Sequence, residues 1–297
     1  MTEIRPDVPE DFESFWTPVI AEAEGSPLDF QRKPQTTVEA FPHRVDHVTF
    51  RGVTGEPLFG WIAVPPETEP TASFLWLPPY GRESVMPNEY GTRIGFVSMS
   101  FNFHGEGAFH REAYVPDRGY FSHGADEPET FVFKRMLQNA VIASKVLQAQ
   151  PECDIDRIGA MGMSQGGGIS IWLGAWCPRI KAVCADMPFL SAMPWVFSQP
   201  VYRYPLKEVS DFMETIPVGR ERVLHTLSYF DTLNMATRCS VPTQVSLGLK
   251  DPAVRPPTVK AVYEALPGPK RLIEYDWGHD WHPEMVGRNR DWLMTYL

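Results

Sequence analysis

The chain has 297 residues, of which 43% are hydrophobic and 22% charged, as in folded globular proteins and unlike disordered ones. Asp and Glu number 37 against 27 Lys and Arg, and the formal net charge of −10 argues against nucleic acid or a membrane surface as a partner. The N-terminal sequence lacks the pattern of a secretory signal, and no stretch reaches the ~18 apolar residues of a membrane span, so we expect a cytoplasmic protein.

The first predicted element is an amphipathic helix over residues 9–24, because apolar residues recur there at the spacing of one helix face. Two short strands, 45–50 and 58–64, follow and are typical of an antiparallel start to a sheet. Beyond them, apolar strand-like runs alternate with helical patterns, which indicates a mostly parallel sheet with helices on both faces. The predicted strands are 72–77, 94–103, 157–161, 182–187, 243–247 and 271–275, and the predicted helices are 130–150, 166–176, 255–266 and 283–297.

We interpret residues 1–297 as a single α/β domain, because the sequence contains no internal repeat, low-complexity tract or interdomain linker. Residues 1–44 are expected to form an N-terminal helical extension. Residues 190–238 are rich in Pro and aromatic residues and are predicted to be an insertion over the sheet, in the manner of a lid. Two interpretations of its aromatic side chains stay open, stacking on a sugar and packing inside the lid. The side chains concerned are Trp195, Tyr202 and Tyr204.

A nucleophile motif, Gly162-Met163-Ser164-Gln165-Gly166, follows a predicted strand and opens a predicted helix. In this context G-x-S-x-G forms a sharp turn that exposes the serine hydroxyl, and its glycines allow close approach of the neighbouring chain. The N-terminus of the helix favours negative charge that develops beside the serine. We therefore predict that Ser164 is a nucleophile, the alternative being a glycine-rich turn with an idle serine.

A nucleophilic serine needs a general base and a carboxylate that orients the base. Asp251 and His279 each follow a predicted strand, and they come after the serine in the chain order that α/β hydrolases use. The carboxyl ends of parallel strands are where such a sheet places its active site. Asp251 also fits a turn or a helix cap, His282 is a rival for the base, and Asp276 is a weaker candidate for the acid.

The segment His279-Asp280-Trp281-His282 offers a different interpretation, that of metal ligands. No third His or Cys at ligand spacing completes such a site, so we expect neither a metal nor another cofactor. The four cysteines lack paired spacing and are expected to be reduced apolar residues. They are Cys153, Cys177, Cys184 and Cys239.

An oxyanion hole needs two N–H donors, and one is expected from Gln165, the residue after the nucleophile. The second is expected from the loop after strand 72–77, where Tyr80 is the first candidate and Gly81 the next. The turn at His104-Gly105-Glu106-Gly107 follows the wrong strand for this role, and we interpret it as a lining of the site. The expected substrate-pocket residues are Gly81, His104, Glu106, Pro188 and Trp195.

Nearly the whole chain resembles the cephalosporin C deacetylase and acetyl xylan esterase family, carbohydrate esterase family seven. The most specific similarities are Ser164-Gln165-Gly166-Gly167-Gly168 and Tyr229-Phe230-Asp231. Further similarities are Asp11-Phe12-Glu13-Ser14-Phe15-Trp16, Gly60-Trp61, Val64-Pro65, Pro188-Phe189-Leu190 and Gly248-Leu249-Lys250-Asp251.

The resemblance implies an α/β-hydrolase fold and a serine esterase that removes small acyl groups, chiefly acetyl, from sugars or sugar-like alcohols. It implies a catalytic triad of Ser164, Asp251 and His279, with the N–H groups of Tyr80 and Gln165 as the oxyanion hole. It further implies that no cofactor is needed and that the chain forms a ring-like homo-oligomer.

The chain departs from the motifs of the family at two places. His104-Gly105-Glu106 stands where the family has Arg-Gly-Gln, and His279-Asp280 stands where it has His-Glu. The first exchange loses a bidentate, always charged anchor and adds a carboxyl group. Neither exchange touches the proposed triad, so ester hydrolysis is still expected. Two alternatives stay open, a peptidase or lactone hydrolase with the same triad and a catalytically idle member of the family that serves as a binding protein.

Overall fold

The computed structural model describes residues 4–81, 86–109, 119–216 and 219–297, and nine strands within these ranges form one sheet. The strands are β1 (Phe30–Pro34), β2 (Arg44–Arg51), β3 (Pro57–Val64), β4 (Thr71–Leu77), β5 (Val97–Phe101), β6 (Cys153–Met163), β7 (Ile180–Asp186), β8 (Thr243–Gly248) and β9 (Lys270–Tyr275). Their spatial order is β1-β2-β3-β5-β4-β6-β7-β8-β9.

The same residues contain helices that connect most of the later strands. These are α1 (Phe12–Gly25), α2 (Val132–Gln148), α3 (Gln165–Trp176), α4 (Met193–Phe197), α5 (Leu206–Thr215), α6 (Gly219–Tyr229), α7 (Thr232–Ala236), α8 (Pro256–Ala265) and α9 (Glu284–Tyr296). No helix in the described part of the chain combines the length and the apolar character needed to cross a membrane.

The sheet is antiparallel at one end and parallel over the rest. β2 pairs antiparallel with β1 and β3, and β3 pairs antiparallel with β5, whereas β5, β4, β6, β7, β8 and β9 form parallel pairs. The predicted antiparallel start and the predicted parallel sheet are therefore both present. Because β6, β8 and β9 run in the same direction, the loops that follow them emerge at the same edge of the sheet.

Helix α1 forms where the apolar spacing predicts it, and it buries one face. Trp16 is completely buried, and its indole N–H donates to the backbone oxygen of Tyr229 at 3.0 Å. The Phe12 ring lies 6.0 Å from that of Trp176 in α3. Helix α1 therefore packs on the body of the protein, and its contacts reach α3 and α6.

The segment 1–44 differs from the predicted helical extension, because it also contains the edge strand β1. The run Phe30–Pro34 carries little apolar alternation, and its side chains are exposed or half-buried, so the sequence pattern is weak there. Backbone pairing with β2 and ionic contacts define the strand instead. Arg32 forms salt bridges with Asp46 and Glu152, each at 2.8 Å.

The predicted insertion 190–238 contains the four helices α4 to α7. Its start is held by the buried carboxylate of Asp231, which accepts hydrogen bonds from the N–H groups of Ala192, Met193 and Leu233 at 2.7–2.9 Å. Burial raises the pKa of Asp231 to about 6, although these three N–H groups favour the ionised form. The carboxylate thus fixes the path by which the chain leaves the sheet and enters the insertion.

Candidate active site

Ser164 lies on the sharp turn between β6 and α3. Its φ of 56° and ψ of −118° are unusual for a residue with a side chain and mark local backbone strain. The Ser164 N–H donates to the backbone oxygen of Asp186 at 2.8 Å, and its carbonyl accepts from the N–H of Phe189 at 2.9 Å. A Cβ added at Gly166 would overlap the backbone oxygen of Leu77, so the close contact between this turn and β4 requires glycine there.

The structure brings Ser164, His279 and Asp251 together. The Ser164 Oγ lies 3.0 Å from His279 Nε2, and His279 Nδ1 lies 2.6 Å from Asp251 Oδ2. A carboxylate only accepts hydrogen bonds, so Nδ1 carries the proton that it donates to Asp251. Nε2 is then the acceptor for the serine O–H, which is the arrangement that a general base requires.

Asp251 has one role for each carboxylate oxygen. Oδ1 accepts hydrogen bonds from the N–H groups of Ala253 and Val254, both at 2.8 Å, and Oδ2 faces His279. Its side chain has 0% exposure, whereas that of His279 is 24% exposed. The turn interpretation and the orienting-acid interpretation of this residue are therefore compatible.

The loops after β8 and β9 are joined by backbone contacts, which sets the distance between Asp251 and His279. The N–H of Lys250 donates to the carbonyl of Trp277 at 2.9 Å. A Cβ added at Gly248 would lie 2.6 Å from the backbone oxygen of Gly278, so a larger residue at Gly248 would push the loops apart.

The rival candidates have other partners in the structure. The ring of His282 stacks on Tyr275 with centroids 4.3 Å apart. The Asp276 carboxylate forms an exposed ion pair with Lys250 at 2.8 Å. Within the four described ranges, no group of three or more His, Cys, Asp or Glu side chains could hold a metal ion.

A cavity of about 490 Å³ opens beside Ser164 and His279. Aromatic and other apolar side chains form most of its wall, and Arg203 and Asp280 are its charged members. Its lining residues are Pro79, Tyr80, Met163, Ser164, Phe189, Arg203, Tyr204, Pro205, Ala253, His279, Asp280 and Trp281. The insertion supplies Arg203, Tyr204 and Pro205, so it forms one side of the cavity.

The two expected oxyanion donors flank the serine. Tyr80 lines the same cavity and belongs to the turn after β4. Gln165 is the first residue of α3, where a backbone N–H has no partner within the helix. Tyr80 therefore lies at the cavity and Gln165 directly follows the serine, and their role as oxyanion donors stays a prediction.

The five residues expected in the substrate pocket do not line this cavity. Trp195 lines a separate cavity of about 190 Å³ between the insertion and the N-terminal residues 4–7, and Tyr202 is 80% exposed. Pro188 lies in the turn after β7, where its carbonyl accepts from the hydroxyl of Ser191. The backbone oxygen of Glu106 accepts from Asn102 Nδ2 at 3.0 Å. The insertion supplies Arg203, Tyr204 and Pro205 to the cavity wall, whereas no residue of the 104–107 turn lines it.

Sequence reasoning missed Arg203 and Trp281 as lining residues. The Trp281 ring packs against those of Trp76 and Tyr90, with centroids 5.3 and 4.8 Å apart, and so forms a firm wall. Its position two residues after His279 is the one signal that could have found it. Nothing in the local sequence distinguishes Arg203 from other arginines of the chain.

Similar proteins were found by sequence and by structure. The acetyl esterase Axe7A of Xylanibacter ruminicola is 23% identical over 278 residues, and this chain spans 62% of its length. An acetyl xylan esterase from Paenibacillus sp. R4 superposes with a TM-score of 0.89 at 25% identity, covering 99% of this chain and 98% of that one. Acetyl xylan esterase 1 from Thermoanaerobacterium sp. JW/SL YS485 superposes with a TM-score of 0.85 at 23% identity, covering 98% and 95%.

These superpositions confirm the α/β-hydrolase fold that the resemblance implied. The family model described as acetyl xylan esterase (AXE1) matches residues 3–297, almost the entire chain. The expected kinship with acetyl xylan esterases is confirmed by the same match, and the chain belongs to the acetyl xylan esterase (AXE1) family.

Proposed function

We propose that this protein is a serine esterase that removes small acyl groups, chiefly acetyl, from sugars or related alcohols through an acyl-enzyme. The observation that carries the proposal is the hydrogen-bonded series Ser164–His279–Asp251, of which Ser164 and His279 line the 490 Å³ cavity. Membership of the acetyl xylan esterase family supports acetyl as the acyl group and a sugar as the alcohol.

Acylation begins when Ser164 Oγ attacks the ester carbonyl carbon and its proton passes to His279 Nε2. The charge that forms on the carbonyl oxygen is held by the backbone N–H groups of Gln165 and Tyr80. Asp251 Oδ2 stabilises the imidazolium through the 2.6 Å hydrogen bond to Nδ1. The bond between the carbonyl carbon and the leaving oxygen then breaks, and Nε2–H protonates that oxygen, so that the alcohol is released.

Deacylation repeats these steps with water. His279 Nε2 takes a proton from a water molecule, which attacks the acyl-enzyme carbonyl carbon. The bond to Ser164 Oγ breaks, the proton returns to Oγ, and the carboxylic acid leaves. The residues proposed for the first half-reaction therefore serve in the second without rearrangement.

The cavity walls favour a substrate with a short acyl group and a polar alcohol. Met163, Phe189 and Trp281 are apolar neighbours for an acyl chain, and Arg203 and Asp280 add polar groups. We propose the insertion 190–238 as a lid on the alcohol side, with Tyr204 as the aromatic residue placed to meet a sugar face. A cephalosporin that carries an acetyl ester is a second substrate for the same chemistry.

The test is a comparison of 4-nitrophenyl acetate, butyrate and octanoate with an acetylated xylo-oligosaccharide and an aminoacyl 4-nitroanilide. We expect hydrolysis of acetate to exceed that of octanoate by at least tenfold, with release of acetate from the oligosaccharide. Faster hydrolysis of the anilide would favour a peptidase. A sulfonyl fluoride should label Ser164, and absence of both adduct and turnover would favour the idle binding protein.

We propose further that the chain is cytoplasmic, that it folds as a single domain and that its copies form a homo-oligomer. The four cysteines are buried and free, as expected in a reducing compartment. Phe41 and Ile94 are 97% and 60% exposed, and such apolar side chains are suited to contact between copies of the chain. Light scattering after size-exclusion chromatography measures the oligomer, and a mass of 33.7 kDa would contradict it.

A further inference from the structure

One tyrosine contacts both residues proposed as oxyanion donors. The Tyr120 hydroxyl donates a hydrogen bond to Gln165 Oε1 at 2.7 Å. Its ring lies against that of Tyr80, with centroids 4.9 Å apart. Tyr120 does not line the cavity beside Ser164, so it acts from behind the site.

The neighbouring Phe121 strengthens this arrangement. Its ring is fully buried and meets the ring of Tyr80 edge-on at 4.8 Å and that of Phe189 at 5.2 Å. The Phe189 N–H in turn donates to the carbonyl of Ser164. The segment that carries Tyr120 and Phe121 therefore packs against the turns after β4, β6 and β7, which surround the serine.

The ring of His104 also packs against that of Tyr120, with centroids 4.2 Å apart. The His104 Nε2 is buried and has no hydrogen-bond partner among the described residues. Burial, aided by the charge of Arg135, lowers the pKa of His104 to about 4. The imidazole is therefore neutral at pH 7, and it contributes a ring surface rather than a charge.

We propose that Tyr120 is a positioning residue that orients the oxyanion hole, and that the His104 ring supports Tyr120; this inference rests on the proposed function. The hydrogen bond to its side chain restrains Gln165, whose backbone N–H faces the oxyanion, and the ring contact restrains Tyr80. Fixed donors matter most when charge develops on the carbonyl oxygen, since they then need no reorganisation. Loss of the restraint should weaken transition-state binding more than substrate binding.

The first experiment replaces Tyr120 by Phe, which removes only the hydroxyl. We expect kcat for 4-nitrophenyl acetate to fall about three- to tenfold, the size of one lost hydrogen bond, with KM within about twofold. The inhibition constant of phenylboronic acid, whose serine adduct is tetrahedral, should rise by the same factor. The matched control is Tyr229→Phe in α6. This variant loses the hydrogen bond, 2.5 Å long, that the Tyr229 hydroxyl donates to Asp11 Oδ1. It should lower the melting temperature and leave kcat and the boronate inhibition constant unchanged.

A double-mutant cycle tests whether Tyr120 acts through the Gln165 side chain. Gln165→Ala removes the acceptor and keeps the backbone N–H, so adding Tyr120→Phe to it should cause little further loss of kcat. His104→Ala should lower kcat about two- to fivefold, and His104→Phe should restore most of the loss, since a ring and not a nitrogen is needed.

Three results overturn the inference alone while the wild type stays an active esterase. They are a Tyr120→Phe variant with unchanged kcat, a variant whose loss lies wholly in KM, and losses that multiply in the double variant. A wild type without esterase activity and without a Ser164 adduct overturns the proposed function, and the inference with it.

Discussion

The exchange Asp251→Asn tests the proposed acid with the smallest possible change of shape. In the wild type, Oδ1 of Asp251 accepts from two N–H groups and Oδ2 accepts from His279 Nδ1. An asparagine must keep its single oxygen on the Ala253 and Val254 N–H groups, because an NH₂ group there would face two donors. Its NH₂ group is then directed at His279 Nδ1.

This orientation forces the wrong tautomer on the histidine. Nδ1 must become the acceptor, so the proton moves to Nε2, which faces Ser164 Oγ at 3.0 Å and can no longer take the serine proton. The corresponding exchange in serine proteases lowers kcat about 10⁴-fold, and at 1.36 kcal/mol per tenfold this is about 5 kcal/mol of transition-state stabilisation. The hydrogen bonds to Oδ1 persist, so the free energy of unfolding should change by only about 1 kcal/mol.

The assay is the kcat for 4-nitrophenyl acetate at pH 7, with a thermal melt to verify folding. Asp276→Asn is the matched control, because that carboxylate pairs with Lys250 on the surface, and it should retain the wild-type kcat. A folded Asp251→Asn variant that keeps more than about a tenth of the wild-type kcat would show that Asp251 is not the orienting acid. The orienting acid would then have to be Asp276 or Asp280.

Three further predictions concern strain, packing and pH. Ser164→Ala and Ser164→Gly should both lose about 10⁴-fold or more in kcat. In urea unfolding, the free energy of unfolding of the glycine variant should exceed that of the alanine variant by about 1 kcal/mol, because glycine adopts a φ of 56° without strain; equal free energies of unfolding would contradict the strain. Gly166→Ala should lower the free energy of unfolding by about 3 kcal/mol or prevent folding, since the new Cβ would overlap the Leu77 carbonyl; a melt like that of the wild type would contradict this. The lowered pKa of His104 means that its stability contribution is present above pH 6.5 and lost as the pH falls towards 4. When the pH falls from 7 to 4.5, the free energy of unfolding of the wild type should drop on the order of 2 kcal/mol more than that of His104→Phe. Equal drops in the two proteins, measured by urea unfolding, would contradict this prediction.

Much of the architecture could be predicted from the sequence, because it follows from local patterns. The alternation of apolar runs with helical patterns predicted the parallel sheet, and G-x-S-x-G in its strand-to-helix context located the turn at Ser164. The edge strand β1 was missed because its side chains are exposed or half-buried, and its pairing with β2 defines it.

Short-range patterns were enough to predict the fold class, the family and the three strand ends that Ser164, Asp251 and His279 follow. Which groups meet at those strand ends depends on tertiary packing. The 2.6 and 3.0 Å hydrogen bonds join residues 28 and 115 positions apart in the chain. The same holds for the cavity wall supplied by the insertion and for Tyr120 behind Gln165, 45 positions away. No local pattern encodes such contacts, because they depend on how loops from different strands pack against one another.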